Sequence, residues 1–227
     1  MKKILFLSVG LISFSLILFN AGCDSIISTT EGTIEYGSEI INKDHPMAFV
    51  APSKMTVQFK NSVCKGELSA AAGFFTTTFI ADPEKKEVTQ LVRLVNSKMA
   101  HVFDRKKVEK LNENVYPPFK VEKTKETKEI AGYKCKKAKI IFDNKKHENF
   151  DIYYTNAINI KNPNWSTPFH DIDGVMLEYQ LLKYGMELRF TAKKIDKNPL
   201  ENDTFKIPAG YKTVPEKEID DLFKSLQ

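Results

Sequence analysis

The chain has 227 residues, of which 42% are hydrophobic and 28% are charged, with only 10 Gly and 10 Pro. This profile excludes a disordered protein and predicts a globular one that buries a core. The formal net charge is +5, with 34 basic residues spread along the chain beside 29 acidic ones. Because no nucleic-acid recognition motif accompanies them, we expect no nucleic-acid partner.

The N terminus has the pattern of an export signal. Lys2 and Lys3 precede an apolar run over 4–19, and small residues then precede Cys23. The run is shorter than the ~20 apolar residues of a typical spanning helix, so we interpret 1–22 as a cleaved signal peptide. An ordinary secretory signal with an incidental cysteine and an uncleaved signal anchor are the alternatives.

The residues just before Cys23 resemble the lipobox of bacterial lipoproteins. Ala21 and Gly22 are the small residues of that motif, and Asn20 stands where a Leu is usual. The resemblance implies that the Cys23 thiol carries a diacylglycerol, whose acyl chains would hold the protein at a membrane with about 0.8 kcal/mol per buried CH₂. We expect a bacterial envelope protein, on the periplasmic face or the cell surface, with inner and outer membrane both open.

After a tether over 23–30, residues 31–227 are predicted to form a single β-rich domain. Runs with period-two alternation recur between turn residues. The clearest hairpin joins 174–182 to 186–194, and other strands are predicted at 87–96, 119–128 and 133–142, the last with an ambiguous buried face. Because the hairpins lack helical crossovers, we expect a mainly antiparallel sheet.

Two segments depart from strand periodicity. Residues 105–114 fit a short amphipathic helix or a loop, and 156–173 form a long connection of the kind that is usually functional or mobile. At the C terminus, Thr213 is expected to cap a helix that has Pro215 in its first turn and Glu216 completing a capping box. The residues that would form its apolar stripe are Ile219, Leu222, Phe223 and Leu226.

Two short stretches carry a family resemblance. Residues 205–212 (FKIPAGYK) and 130–135 (IAGYKC) resemble the LolA/LolB-like superfamily of lipoprotein carriers and uncharacterised secreted families placed near it. The resemblance implies a mainly β (α+β) fold, with a strongly curved antiparallel sheet or half-barrel, a C-terminal helix and an apolar cavity. The candidates for its lining are Phe74, Phe75, Phe79, Leu91, Leu94, Val102, Phe103, Trp165, Phe169, Met176 and Met186. Since ordinary core or sheet packing is the stronger explanation for any one of these strand positions, we assign no ligand-binding residue.

Catalytic and metal-binding patterns are not found in the sequence. The four histidines lack metal-ligand spacing, and there is no phosphate loop or nucleophile elbow, so we predict no enzyme activity, no metal and no cofactor. The segment 170–174 (HDIDG) could bind a cation but is equally explained as a turn. Cys64 and Cys135 could pair in an oxidising compartment or remain two separate buried thiols.

Two functions are therefore predicted for the domain. The first is a membrane-anchored lipoprotein that binds a hydrophobic ligand, such as a lipid or an acyl chain, in a concave sheet. The second is a non-enzymatic structural or protein-interaction module of the cell envelope, with the long segment contacting a partner protein.

Overall fold

The computed structural model describes residues 29–225, apart from 47, 71–72, 145–146 and 184. The proposed signal peptide and the proposed lipidation site Cys23 lie outside this part of the chain. The described residues form a mostly β structure in which strands are far more numerous than helices.

The strands in chain order are β1 (Glu31–Ile40), β2 (Lys54–Lys60), β3 (Val63–Ala70), β4 (Phe75–Asp82), β5 (Glu87–Leu94), β6 (Ser97–Asp104), β7 (Phe119–Ile130), β8 (Tyr133–Phe142), β9 (Phe150–Thr155), β10 (Val175–Lys183), β11 (Met186–Asp196) and β12 (Lys212–Thr213). The helices are α1 (Arg105–Glu113) and α2 (Glu216–Ser225), with single 3-10 turns at Ala48–Val50 and Asn202–Phe205. Neither α-helix, nor any other helix in the described ranges, is long and apolar enough to span a bilayer.

All twelve strands belong to one sheet, in the order β12-β6-β5-β4-β3-β2-β1-β11-β10-β9-β8-β7. Every pair of neighbours is antiparallel except β12 and β6, which run parallel, so the sheet is mixed. The prediction of a mainly β fold with hairpin connections is confirmed. The sheet is not closed into a barrel, because its end strands β12 and β7 do not pair within the described residues.

The C-terminal helix is confirmed, but its predicted start is wrong. Thr213 does not cap it: Thr213 lies in β12 and pairs with Ala100 of β6, and the helix begins at Glu216 after Pro215. The backbone amide of Val214 donates to the Ala100 carbonyl at 2.9 Å, which extends the sheet pairing past Thr213. Sheet hydrogen bonds therefore replace the side-chain cap that the local sequence favours.

Of the predicted apolar stripe of α2, Ile219, Leu222 and Phe223 pack on the sheet as expected, and Leu226 lies outside the described residues. Ile219 and Phe223 are buried against Val92, and Phe223 makes an edge-to-face contact with Phe75 at 5.6 Å between ring centroids. Such an aromatic pair adds about 0.5–1.5 kcal/mol beyond the burial of its surface. The helix thus covers the face of β4 and β5 near the end of the sheet.

The sequence of residues 105–114 fits either a helix or a loop, and the structure has the helix α1 there. Asp104 caps it, since its carboxylate accepts from the Lys107 amide at 2.8 Å. Val108 is its buried residue and packs on Val88 and Phe103 of the adjoining strands. The helix is therefore held by one cap and one apolar contact region rather than by a long amphipathic stripe.

The ambiguous strand β8 changes its buried face along its length. Cys135 is buried at one end, whereas Ala138, Ile140 and Phe142 are buried toward the other. The change of parity accompanies a register shift in the neighbouring β7, between Lys123 and Thr127. The step from Lys123 to Thr127 covers four residues, whereas the facing step from Ala138 to Lys136 covers two. Such a bulge bends and twists the strand pair locally, which explains why simple alternation failed here.

The glycines of the central strands give a stability prediction. A Cβ added at Gly32 of β1 would clash with the backbone carbonyl of Asp196, whereas one added at Gly66 of β3 would meet only Val57 Cγ2 at 3.9 Å. We expect Gly32→Ala to lower the free energy of unfolding by about 3 kcal/mol, because backbone atoms must move. Gly66→Ala should leave it unchanged or slightly higher, since the unfolded chain loses freedom.

Urea unfolding followed by circular dichroism measures both values. Equal losses in the two variants would contradict the packing described for β1.

Candidate functional site

The long connection between β9 and β10, residues 156–174, is packed against the sheet and is hereafter the 156–174 loop. Its apolar residues Ile158, Ile160, Phe169 and Ile172 are all buried. Burial of that many side chains shows that the loop is compact and packed by its own side chains. Long connections are usually functional or mobile, and the packing of this loop argues against mobility.

Phe169 fixes the loop in an aromatic cluster. Its ring centroid lies 5.9 Å from those of Tyr116, Phe119 and Phe150. Phe169 is fully buried, and Phe142 contacts the same group from β8. Burial also raises the pKa of the Tyr116 hydroxyl well above its ordinary value, so this ring stays neutral.

Asn164 ties the middle of the loop to its C-terminal end. Its side-chain amide donates to the carbonyls of Ile172 at 2.7 Å and Gly174 at 2.9 Å, and the residue is 4% exposed. Its own carbonyl accepts from the Thr167 hydroxyl at 2.9 Å. A buried polar side chain with paired hydrogens specifies one loop conformation, because any other arrangement leaves polar groups unsatisfied.

A cleft of about 900 Å³ lies between α1, the turn 116–119 and the 156–174 loop; we call it the polar cleft. Tyr116 and Trp165 supply aromatic surface to its lining. Trp165 also packs against the apolar residues beneath α1, and its indole Nε1 is buried without a hydrogen-bond partner among the described residues. The polar residues of the lining are Asn112, Asn156, Asn159, Asn162, Asn164, Glu109, Glu113, Asp173, His170, Arg105 and Lys86.

The charges of the polar cleft largely offset one another. Arg105 Nε lies 2.6 Å from Glu109 Oε1, and Asp173 Oδ2 lies 3.3 Å from Lys123 Nζ at the cleft margin. Carboxylate and amide oxygens accept hydrogen bonds, while amide and guanidinium groups donate them. The cleft therefore suits a neutral ligand with many hydroxyl groups better than a polyanion.

A second, smaller pocket of about 280 Å³ lies on the strands, and we call it the apolar pocket. Its walls include Met55 and Val57 of β2, Leu68 of β3 and Phe79 of β4, with Tyr179 on the far side. The pocket carries few polar atoms. The ammonium of Lys183 lies 5.0 Å from the ring centroid of Phe79, across the pocket from its own strand.

The residues predicted as candidates for the lining of an apolar cavity lie in different parts of the structure. Phe79 and Met176 line the apolar pocket and Trp165 lines the polar cleft. Phe169 lies in the aromatic cluster, Leu91 in a core, and Phe74 is 63% exposed.

Sequence reasoning missed Tyr116, Asn164 and Gly66. The density of asparagines over 156–164 was the one signal in the sequence that pointed to a polar site here.

Cys64 and Cys135 are both free thiols in the structure. Cys64 is half-buried in the wall of the apolar pocket, and burial raises the pKa of its thiol to about 12. The Cys135 thiol is buried, which raises its pKa to about 11, and it donates to the Tyr133 carbonyl at 3.4 Å. Both thiols are therefore protonated at neutral pH, and their pairing stays a prediction.

The 170–174 segment forms a turn at the edge of the polar cleft. His170 and Asp171 are exposed with 3.6 Å between Nε2 and Oδ1, and Ile172 between the two aspartates is buried. Within the described ranges no three His, Cys, Asp or Glu residues are arranged to hold a metal ion.

The Asn164 clamp predicts a stability effect. We expect Asn164→Ala to lower the free energy of unfolding by about 2 kcal/mol, because two buried carbonyls lose their donor. Asn164→Asp should cost about 3 kcal/mol, since a carboxylate would face both carbonyl oxygens. The exposed Asn159→Ala in the same loop should change it by less than about 0.5 kcal/mol. Urea unfolding measures all three, and similar values would exclude the clamp.

Comparison with known proteins gives one family and one fold. The family model described as "N-glycanase peptide, N-terminal domain" matches residues 33–212. Two crystal structures of PNGF-II, in space groups P21 and C2, each superpose with a TM-score of 0.53 at 16% identity. They cover 87% and 86% of this chain, which in turn spans only 34% and 33% of theirs. A search of curated sequences found no match.

These findings correct two predictions. The LolA/LolB-like resemblance is wrong, and the lipid-carrier interpretation that rested on it loses its basis. Its two stretches are a 3-10 turn running into β12 and the tight turn between β7 and β8, which are generic elements. The prediction of no enzyme activity is contradicted as well, because the matching family is named for an N-glycanase. The chain belongs to the N-glycanase peptide, N-terminal domain family.

Proposed function

We propose that this chain serves the release of N-linked glycans and that its polar cleft binds the glycan of an N-glycosylated peptide. The observation that carries the proposal is the cleft itself, which has a volume of about 900 Å³ and is lined by amide and carboxylate side chains beside the aromatic rings of Tyr116, Phe119 and Trp165. The family supplies the chemical class, since its name is that of an N-glycanase.

The lining matches the chemistry of a sugar. A pyranose presents hydroxyl groups around its rim and C–H groups on its faces. Asn159, Glu113 and His170 are exposed in the cleft and can exchange hydrogen bonds with hydroxyls. The Tyr116 and Trp165 rings offer apolar surface for a sugar face. A ligand site of this kind combines a few oriented polar groups with aromatic walls.

The balance of charge also favours a neutral carbohydrate. Arg105 is engaged by Glu109, so the cleft offers no isolated cluster of cations for a phosphate. Since the chain spans about a third of the length of PNGF-II, we assign to it the binding of the glycan. We propose that this binding serves the hydrolytic release of the glycan from the peptide.

We further propose that the sheet is strongly curved, with the apolar pocket on its concave face. The contact between Lys183 and Phe79 supports this, at 5.0 Å from ammonium to ring centroid. Five strand positions separate β10 from β4, which in a flat sheet is about 24 Å. That distance exceeds the combined reach of the two side chains.

An envelope location remains part of the proposal. The signal-like N terminus and Cys23 support a lipid-anchored form that would present the domain outside the cytoplasm. Thr29, the first described residue, pairs with Ile158 of the 156–174 loop, so the tether would leave the domain beside the polar cleft. The interaction-module alternative stays a prediction that no contact favours.

Glycan binding is tested with the full-length protein and one peptide in its glycosylated and unglycosylated forms. We expect the glycosylated form to bind at least about tenfold more tightly by calorimetry, because only it fills the polar cleft. Glu113→Gln and His170→Ala should each weaken its binding about three- to tenfold, the effect of one lost hydrogen bond.

The matched control is Glu39→Gln, a carboxylate that is exposed on β1 and does not line the cleft. Its affinity for the glycopeptide should equal that of the unmodified protein. Equal binding of the two peptide forms would rule out the polar cleft as a glycan site.

Lipidation is tested by mass spectrometry of the protein from bacterial membranes. We expect a mature N terminus at Cys23 with the mass of a diacylglycerol, and membrane association that Cys23→Ser abolishes. A soluble mature form with an unmodified thiol at this position, or an intact precursor, would contradict the proposal.

A further inference from the structure

The apolar pocket adjoins the polar cleft. Five residues line both cavities, and all but one belong to the 156–174 loop; they are Asn112, Ile160, Pro163, Asn164 and Pro168. The loop is thus a shared wall between the polar cleft and the apolar pocket. A single ligand with one polar and one apolar part can contact both sides.

Gly66 marks open space in the apolar pocket. It lies inside β3, in regular register with Val57 of β2 and Phe79 of β4. Glycine weakens a strand interior, and it often stands there because a ligand or another backbone comes close. Here the nearest atom to an added Cβ is Val57 Cγ2, at 3.9 Å, and no backbone atom lies within 4 Å. The space above Gly66 is therefore available to a ligand.

The chemistry of the pocket restricts what can enter it. Met55, Val57, Leu68 and Phe79 form apolar walls, and the Cys64 thiol is neutral because burial raises its pKa to about 12. A cationic group would lose its hydration in this pocket and would face the ammonium of Lys183, so an uncharged apolar group is favoured along these walls. The volume of about 280 Å³ is near the lower end of ligand pockets and suits a side chain rather than a large molecule.

We propose that the apolar pocket is a subsite for an apolar side chain of the same peptide that carries the glycan in the polar cleft. The inference rests on the proposed glycan binding and adds a peptide preference to it. The substrate class is then an N-glycosylated peptide with a large apolar residue near its glycosylated asparagine. The glycan and the side chain would contact opposite sides of the 156–174 loop.

The test uses the full-length protein and three glycopeptides that carry one glycan and differ only in a flanking Leu, Phe or Ser. We expect the Leu and Phe peptides to bind at least about tenfold more tightly than the Ser peptide, as burial of a large apolar side chain supports. Gly66→Leu should remove this preference by filling the pocket. It should leave the affinities for the Ser peptide and for the free glycan unchanged.

Gly66→Ala is the matched control, because it adds one methyl group in ordinary van der Waals contact and should retain most of the preference. The comparison of three peptides on the unmodified protein needs no variant, so it stands even if Gly66→Leu folds poorly. Equal affinities of the three glycopeptides, together with binding of the free glycan, would overturn this inference and leave the proposed function intact.

Two other outcomes also decide the matter. If neither the free glycan nor any glycopeptide binds, the proposed function fails and this inference fails with it. The second outcome is that a fatty acid or detergent binds, that Gly66→Leu blocks this binding, and that the flanking residue of the glycopeptide has no effect. The pocket then accepts a lipid, and the peptide subsite is excluded.

Discussion

The insertion of Phe169 among the rings of Tyr116, Phe119, Phe142 and Phe150 is the contact on which the functional surface depends. The 156–174 loop has no strand pairing along most of its length, so its position is set by side chains. The aromatic cluster joins it to β7, β8 and β9, and the Asn164 clamp ties its middle to its C-terminal end. Because protein interiors are densely packed, the loop cannot shift without disturbing three strands.

Everything proposed for ligand binding follows from that position. The loop separates the polar cleft from the apolar pocket and lines both. Its exposed residues Asn159 and His170 line the cleft together with α1, and its residues Ile160, Pro163 and Pro168 line both cavities. The strands contribute mainly apolar walls, so the combination of sugar-like and apolar chemistry comes from the loop packed over them.

The open sheet leaves β7 at one end, where pairing with another chain would be possible. Charged residues of both signs occupy most of this strand, and a register shift interrupts it. Lys137 of β8 bridges Asp151 at 3.0 Å and Glu126 at 3.2 Å, and these hydrogen bonds raise its pKa to about 12. Such charges oppose edge-to-edge association. At the other end, β12 covers part of β6.

Local pattern by itself determined most of the strands, the hairpin of β10 and β11 and the apolar stripe of α2, because periodicities of two and 3.6 residues are fixed by backbone geometry. Local pattern was also misleading where many folds share the same short sequence element. Ala131 and Gly132, with φ of 50° and 79°, form a two-residue turn that any antiparallel sheet can use, so the IAGYKC stretch carried no family information. Tertiary structure decided that Thr213 joins a strand, that β8 changes face and that the 156–174 loop packs around Phe169. These outcomes depend on hydrogen bonds and contacts between residues distant in sequence, which no local window contains.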